Sequence, residues 1–297
     1  MSRTTRETSA LFRQPAERHV DVGGADVACR TVGTGPDVLF VHGWPVSGAT
    51  FRHLLPFLAG DVRCHVLDLA GTGSSRFDSS SPLSVDHHIA SVRRVVDELG
   101  LDDVAVVGHD SGGLIARHAL AGDPRVRGFG LIDTEQPQGL NWRFRSFLAA
   151  RHLPGIERTF GWAIGQRRIR RNKLLLGDAF VDRSMLDGEF DEFFLRPIAE
   201  SRAHRAAAVK LLRSFDTAHV DQLADLHAKI EVPVQLVWGE HDVFFPVARA
   251  REMVDTFPDA RLTVVPGAGL FAHEERPTEV AAALLPVLAA PRPSAPR

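Results

Sequence analysis

Val104-Ala105-Val106-Val107-Gly108-His109-Asp110-Ser111-Gly112-Gly113 is the stretch on which the reading of this chain turns. A short apolar, β-branched run ends in two small residues around a His-Asp-Ser core, and Ser111 to Ala121 then continues as a helix, so the segment reads as strand, sharp turn, helix. In such an elbow the central residue is strained and exposed, and the positions two before and two after it must be small for strand and helix to approach. Gly108 and Gly112 flank Asp110 in this way. Centring the turn on Ser111 instead puts His109 at the crowded position, where a side chain clashes. The frame therefore selects the aspartate. A carboxylate placed there attacks an electrophilic carbon in line, expels a leaving group and becomes an alkyl ester of the protein. The plainer alternative is that Asp110 only caps its helix, a common task for aspartate.

Outward from the elbow, the chain alternates strands and helices. Arg18 to Val22 and Ala25 to Val32 read as strands joined by Gly23-Gly24, after a polar lead. Asp37 to Val41 and Val62 to Leu69 are apolar strands that end in His42-Gly43-Trp44-Pro45 and Gly71-Thr72-Gly73. Ser84 to Leu99 carries Val85, Ile89, Val92, Val95, Val96 and Leu99 at helical spacing. Gly128 to Ile132 is the next strand. From about 136 to 216 strand signals vanish and arginine, phenylalanine and helix formers take over. Alternation resumes with strands Val234 to Trp238 and Arg261 to Val265 and helices from about Pro246 to Phe257 and Pro277 to Leu288. The expectation is an α/β protein with a mostly parallel sheet flanked by helices. Residues 1–135 and 217–290 form its core, 136–216 an inserted helical cap, and 291–297 a disordered tail.

Composition narrows the function classes. The formal charge of -2 offers no electrostatic footprint for nucleic acid. The charged N-terminal region lacks the apolar run of a signal peptide or membrane span, which leaves a cytoplasmic address as the default. Cys29 and Cys64 lack metal-ligand spacing and read as free core thiols. No metal or cofactor is expected, the partner is a small-molecule substrate, and the oligomeric state is open. From Trp142 to Lys173 nine cations face only Glu157. That bias reads first as a solvated basic face, and otherwise as a means of drawing in a carboxylate-bearing substrate or an acidic partner.

Three landmarks, His42-Gly43-Trp44-Pro45, Gly108-His109-Asp110-Ser111-Gly112-Gly113 and Trp238-Gly239-Glu240-His241-Asp242, resemble in order those of the epoxide hydrolase and haloalkane or haloacetate dehalogenase branch of the α/β-hydrolases. The resemblance covers nearly the whole chain except the cap. It implies an aspartate nucleophile at Asp110 and an oxyanion hole from the backbone amides of Trp44 and Ser111. It implies a histidine-orienting acid at Asp242, with Asp133 as the rival position. The family histidine directly follows a Gly-x-Gly, but here the sequence is Gly267-Ala268-Gly269-Leu270-Phe271-Ala272-His273. Leucine accepts no proton, so His273, three residues on, is the candidate base. A helical turn over 270–273 brings both side chains to one face, whereas an extended segment points them apart.

Epoxide opening in this branch leans on cap tyrosines, and the chain contains no tyrosine. A halide leaves as a stable anion and needs only N–H donors, for which Trp142 and Trp162 of the cap, or Trp44, are candidates. Dehalogenation of a haloalkane or haloacid is thus the favoured expectation, with epoxide hydrolysis as the alternative. A degenerate member that binds a ligand and lacks a working base is the reading from a different class.

Overall fold

The computed structural model describes residues 4–291. Eight strands build one sheet: β1 (Arg18–Asp21), β2 (Asp26–Gly33), β3 (Asp37–Val41), β4 (Arg63–Asp68), β5 (Val104–His109), β6 (Val126–Ile132), β7 (Val234–Gly239) and β8 (Ala260–Val265). Their order is β1-β2-β4-β3-β5-β6-β7-β8. Only the β1–β2 and β2–β4 pairs are antiparallel. The rest run parallel, so helices must cross over both faces and the central strands read as continuous apolar runs. Every residue of β5 and β6 is buried.

Register sets the location of the site. Val41 pairs with Gly108, His109 with Ile132, Ile132 with Val237, and Gly239 with Val265. The C-terminal ends of β3, β5, β6, β7 and β8 therefore fall on one edge, where open α/β sheets place their ligands. Helices Val85–Leu99, Ser111–Leu120 and Pro277–Leu288 cover the faces. Ser84 caps the first through the His87 amide, and Gly100 ends it in the left-handed conformation.

The β6–β7 connection is a long helical crossover that includes Trp142–Ala149, Ile156–Gly165 and Arg202–Ser214. Its basic stretch is more paired than a solvated face implies. Arg167, Arg170 and Arg171 converge on Asp187, and Arg170 also meets Asp191.

The polar lead holds a helix that the sequence reading does not name. Thr5–Phe12 is a helix with a complete capping box between Thr4 and Glu7. It buries Thr8, Ser9 and Phe12, a face partly of hydroxyls, which is why apolar periodicity does not reveal it. This helix joins core to crossover: the Thr8 hydroxyl donates to the Arg52 carbonyl at 2.6 Å, and Arg13 pairs with Glu189 and Glu192. Arg52 itself bridges Glu189 and the buried Glu274. Cys29 and Cys64 are free and buried. The expected disordered tail lies outside the described residues except for its first residue. Among the described residues no helix is long and apolar enough to cross a membrane.

Candidate active site

Asp110 stands between β5 and the helix Ser111–Leu120 with φ 51° and ψ -135°, at the elbow that the glycine spacing predicts. A Cβ on Gly108 would lie 2.5 Å from Gly113 Cα, and one on Gly112 would press on the carbonyls of Val41 and His42, so both positions exclude side chains. Gly43, which the sequence reading did not single out, is constrained as well: a Cβ there would collide with the Asp110 side chain. The signal was present in the His-Gly-Trp-Pro landmark but its steric cause needs the fold.

The carboxylate makes no capping bond to its own helix. Instead Oδ2 accepts the Trp44 amide across the loop after β3 at 2.7 Å. The Ser111 hydroxyl lies 3.4 Å from the same oxygen. Burial raises the Asp110 pKa well above the usual carboxylate range, with Glu135 adding repulsion, while the amides of Ser111 and Trp44 oppose the rise. Glu135 belongs to a buried network behind the elbow. There Arg117 donates to the Thr134 hydroxyl and the Glu135 carbonyl, and Thr134 donates to the Asp110 carbonyl.

Asp110 lines a cavity of about 30 Å³ whose other walls include Trp44, Phe147, Phe244, Leu270 and Phe271. All its other lining residues are apolar, and a space of this size holds roughly one or two waters at most. Phe147, Leu175 and Phe244 also line a second cavity of about 370 Å³, walled by crossover residues apart from Phe244, so the two spaces adjoin.

Leu270, not His273, faces Asp110. The helical turn Ala272–Glu275 begins after Leu270, and His273 turns into the core, fully buried against Phe51 and His109. Its Nε2 lies 2.8 Å from the Thr50 hydroxyl, which in turn reaches Glu274. Burial, with help from the neighbouring His109 and Arg52, holds its pKa well below the ordinary histidine value, so the ring is neutral at pH 7. His109 is the residue that fixes this arrangement. Its Nε2 donates to the Leu270 carbonyl at 2.9 Å, and burial lowers its pKa to about 4.

The two candidate acids lie at adjacent strand ends. Asp133 has φ 37°, and its Oδ1 accepts the Gly239 amide at 2.7 Å. Asp242 Oδ1 accepts the amides of Phe244 and Phe245 at 2.7 and 3.0 Å. Each Oδ2 is buried without a hydrogen-bond partner. Among the described residues no imidazole hydrogen-bonds either carboxylate. Burial pushes Asp242 up to about 7, and it raises Asp133, which also feels the Asp242 charge.

The tryptophan assignments need correction. Trp142 is 71% exposed and Trp162 58% exposed, and neither lines the Asp110 cavity. Both sit on crossover helices whose phase turns their rings outward, and only Trp142 reaches the larger cavity. The Trp44 indole is committed to the Ala208 carbonyl at 3.0 Å. No group of three or more His, Cys, Asp or Glu side chains among the described residues converges to hold a metal.

The sequence profile described as "Alpha/beta hydrolase family" matches residues 38–283. The chain belongs to the α/β-hydrolase family. Haloalkane dehalogenase 2 of Mycobacterium tuberculosis is 28% identical to this α/β-hydrolase over 261 residues, covering 85% of this chain and 88% of that one. Pimeloyl-[acyl-carrier protein] methyl ester esterase of Xanthomonas campestris is 26% identical over 255 residues, 84% and 90% of the two chains. Among solved structures, haloalkane dehalogenase DbeA from Bradyrhizobium elkani superposes with a TM-score of 0.77 at 22% identity, covering 92% of this chain and 97% of that one. An epoxide hydrolase, CorEH, superposes with a TM-score of 0.74 at 22% identity, covering 92% and 98%. These structural likenesses concern the fold. The two relatives matched in sequence are thus a haloalkane dehalogenase and a methyl ester esterase, and membership of the family does not by itself choose a chemistry.

Proposed function

We propose that this α/β-hydrolase uses Asp110 to attack a small alkyl electrophile of the alkyl halide class, a haloalkane or haloacid, and that it holds the resulting aspartyl ester far longer than a member with an imidazole beside its nucleophile. The observation that carries this reading is the pairing of the Asp110 carboxyl with Leu270, where a base would stand, in an otherwise apolar cavity. In the first step one Asp110 oxygen forms a C–O bond as the carbon–halogen bond breaks, and the halide leaves with the bonding electrons. The dry walls remove the hydration that would blunt a carboxylate nucleophile. Because burial raises the Asp110 pKa, the attacking form grows as pH rises, so alkylation accelerates toward alkaline pH.

In the second step a water must add to the ester carbonyl. The amides of Trp44 and Ser111 are the donors proposed to receive the oxyanion. The water lacks a base, because the His273 imidazole is spent on Thr50. Asp242, with Asp133 as the alternative, is the position of the orienting acid, and among the described residues neither carboxyl has an imidazole to orient. The helical crossover serves as the cap, the substrate is a small molecule, and the address is cytoplasmic. Halide is preferred to epoxide as the reacting group because an opened epoxide must take up a proton, which no other cavity wall supplies, whereas a halide departs as a stable anion that takes up none; none of the three indoles is free at the cavity to receive it.

Intact-mass measurement after incubation with a bromoalkane tests the reading. The expected result is one adduct per chain, stable for hours, located on Asp110 and absent in Asp110→Asn. Rapid multiple turnover without an adduct would mean that a base works after all. Neither adduct nor product from any alkyl halide would remove the chemical assignment and leave a binding protein.

A further inference from the structure

The larger cavity, about 370 Å³, lies within the roughly 300–1,000 Å³ range of small-ligand sites, and it adjoins the Asp110 cavity through Phe147, Leu175 and Phe244. Its walls are overwhelmingly apolar, yet two arginines and no acidic residue line it. Arg143 is the informative one. Its guanidinium lies over the rings of Trp142 and Phe244, at 5.9 and 5.7 Å from their centroids, and its side chain is only 13% exposed. Phe244 lines both cavities, whereas Arg143 lines the larger one alone, so the charge belongs to the larger cavity and not to the Asp110 cavity.

Arg143 is also incompletely neutralised. Among the described residues its one ionic partner is Asp178, which lies 3.3 Å away and is shared with Arg183 at 3.0 Å. Two guanidiniums divide a single carboxylate, and Arg151 adds a further positive charge to the wall. Most other cations of the basic stretch that carry ion pairs are tied to Asp187 and Asp191, away from the cavity. A partly desolvated guanidinium with spare donors binds a carboxylate bidentately and more strongly than water-exposed lysine does. The apolar walls fit a hydrocarbon chain.

We infer that the preferred substrate is an amphiphile: a medium-chain alkyl electrophile whose reactive carbon reaches Asp110 and whose carboxylate is held by Arg143. This assignment rests on the proposed Asp110 chemistry for its reactive end, but the carboxylate subsite stands on the cavity alone. The bond changes are those of the first step: C–O forms to Asp110, the carbon–bromine bond of the probe breaks, and bromide departs with its electron pair.

The test compares ω-bromooctanoate with bromooctane on the full chain, following the rate of Asp110 alkylation by intact mass. The acid is expected to react about tenfold faster or more at low concentration, the size of one good charge-assisted contact. Arg143→Gln should bring the ratio close to one, and Arg143→Lys should keep part of the preference. Displacement of an apolar fluorescent dye by unreactive octanoate, measured in wild type, Asp110→Asn and Arg143→Gln, reads the subsite without any chemistry. Octanoate should displace the dye more tightly than octanol in the first two and lose that advantage in the third. Equal alkylation rates, or a ratio unmoved by Arg143→Gln, overturn the inference while leaving the Asp110 reading intact. If neither bromide reacts but octanoate still binds through Arg143, the subsite survives and the Asp110 reading falls.

Discussion

A carboxylate takes its chemistry from the atoms that face it, and Asp110 faces a leucine. Replacing that leucine is therefore the most direct perturbation. Leu270→His sets an imidazole in the Asp110 cavity at the strand edge where Asp133 and Asp242 each keep an oxygen without a partner. A positioned general base contributes about 10²- to 10⁴-fold. The lifetime of the aspartyl ester should shorten by a factor in that range, read as halide release beyond one equivalent per chain. His273→Gln should leave the lifetime as it is in the wild type. A longer-lived ester in that variant would restore His273 as the base.

At the scale of elements, the loop after β8, the helix Thr5–Phe12 and the crossover meet at Arg52. Its guanidinium is almost wholly buried between Glu274 and Glu189, and Glu274 is fully buried. Removing one partner of a buried pair leaves an uncompensated charge, at a cost of roughly 3–5 kcal/mol. Glu274→Ala should lower stability by about 3 kcal/mol in urea unfolding, at the low end because Glu189 remains. A change below about 0.5 kcal/mol, the scale of an ordinary surface substitution, would show that the junction is not a structural node.

Much of the architecture was legible in sequence. Buried parallel strands write themselves as unbroken apolar runs, so β3 has the residue limits expected of it, and the apolar helix Pro277–Leu288, opened by a proline, has its expected limits too. The elbow was legible because glycines two before and two after a residue have a steric cause. The departure at Leu270 was legible too. Its consequence was not, because where His273 points depends on a four-residue helical turn starting at Ala272 and on a distant hydroxyl, Thr50. Residue type nominates the indoles of Trp142 and Trp162, whereas exposure follows from helix phase: Ile156–Gly165 buries Phe160 and Ile164 and leaves Trp162 on the opposite side. The pairing of the crossover arginines with Asp187 and Asp191 likewise arises between short segments, with no periodicity to announce it.

For the molecule as a whole, the concentration of buried carboxyls sets how stability responds to pH. Burial raises Asp110, Asp133, Glu135 and Asp242, the last to about 7. A carboxyl whose pKa is higher folded than unfolded contributes its stability in full below the unfolded value of about 4, and the contribution is lost as pH rises through the folded value. Buried histidines such as His88, lowered to about 3, act oppositely: their contribution is full above about 6.5 and falls on acidification. The difference between wild type and Asp242→Asn cancels the histidine part. The variant should gain on the wild type as pH rises from about 4 to about 7, by at most about 1.4 kcal/mol per pH unit. A difference in unfolding free energy that stays flat over this window would show that Asp242 is not protonated in the folded chain at the acid end.

The positive φ of Asp110 has a reverse side. A side chain held in that region costs of order 1–3 kcal/mol, a load that glycine does not carry. Asp110→Gly also deletes a carboxyl that the fold keeps out of water. The variant without the proposed nucleophile should therefore melt at a higher temperature than the wild type, and heat tolerance among elbow variants should rank against any alkylation they show.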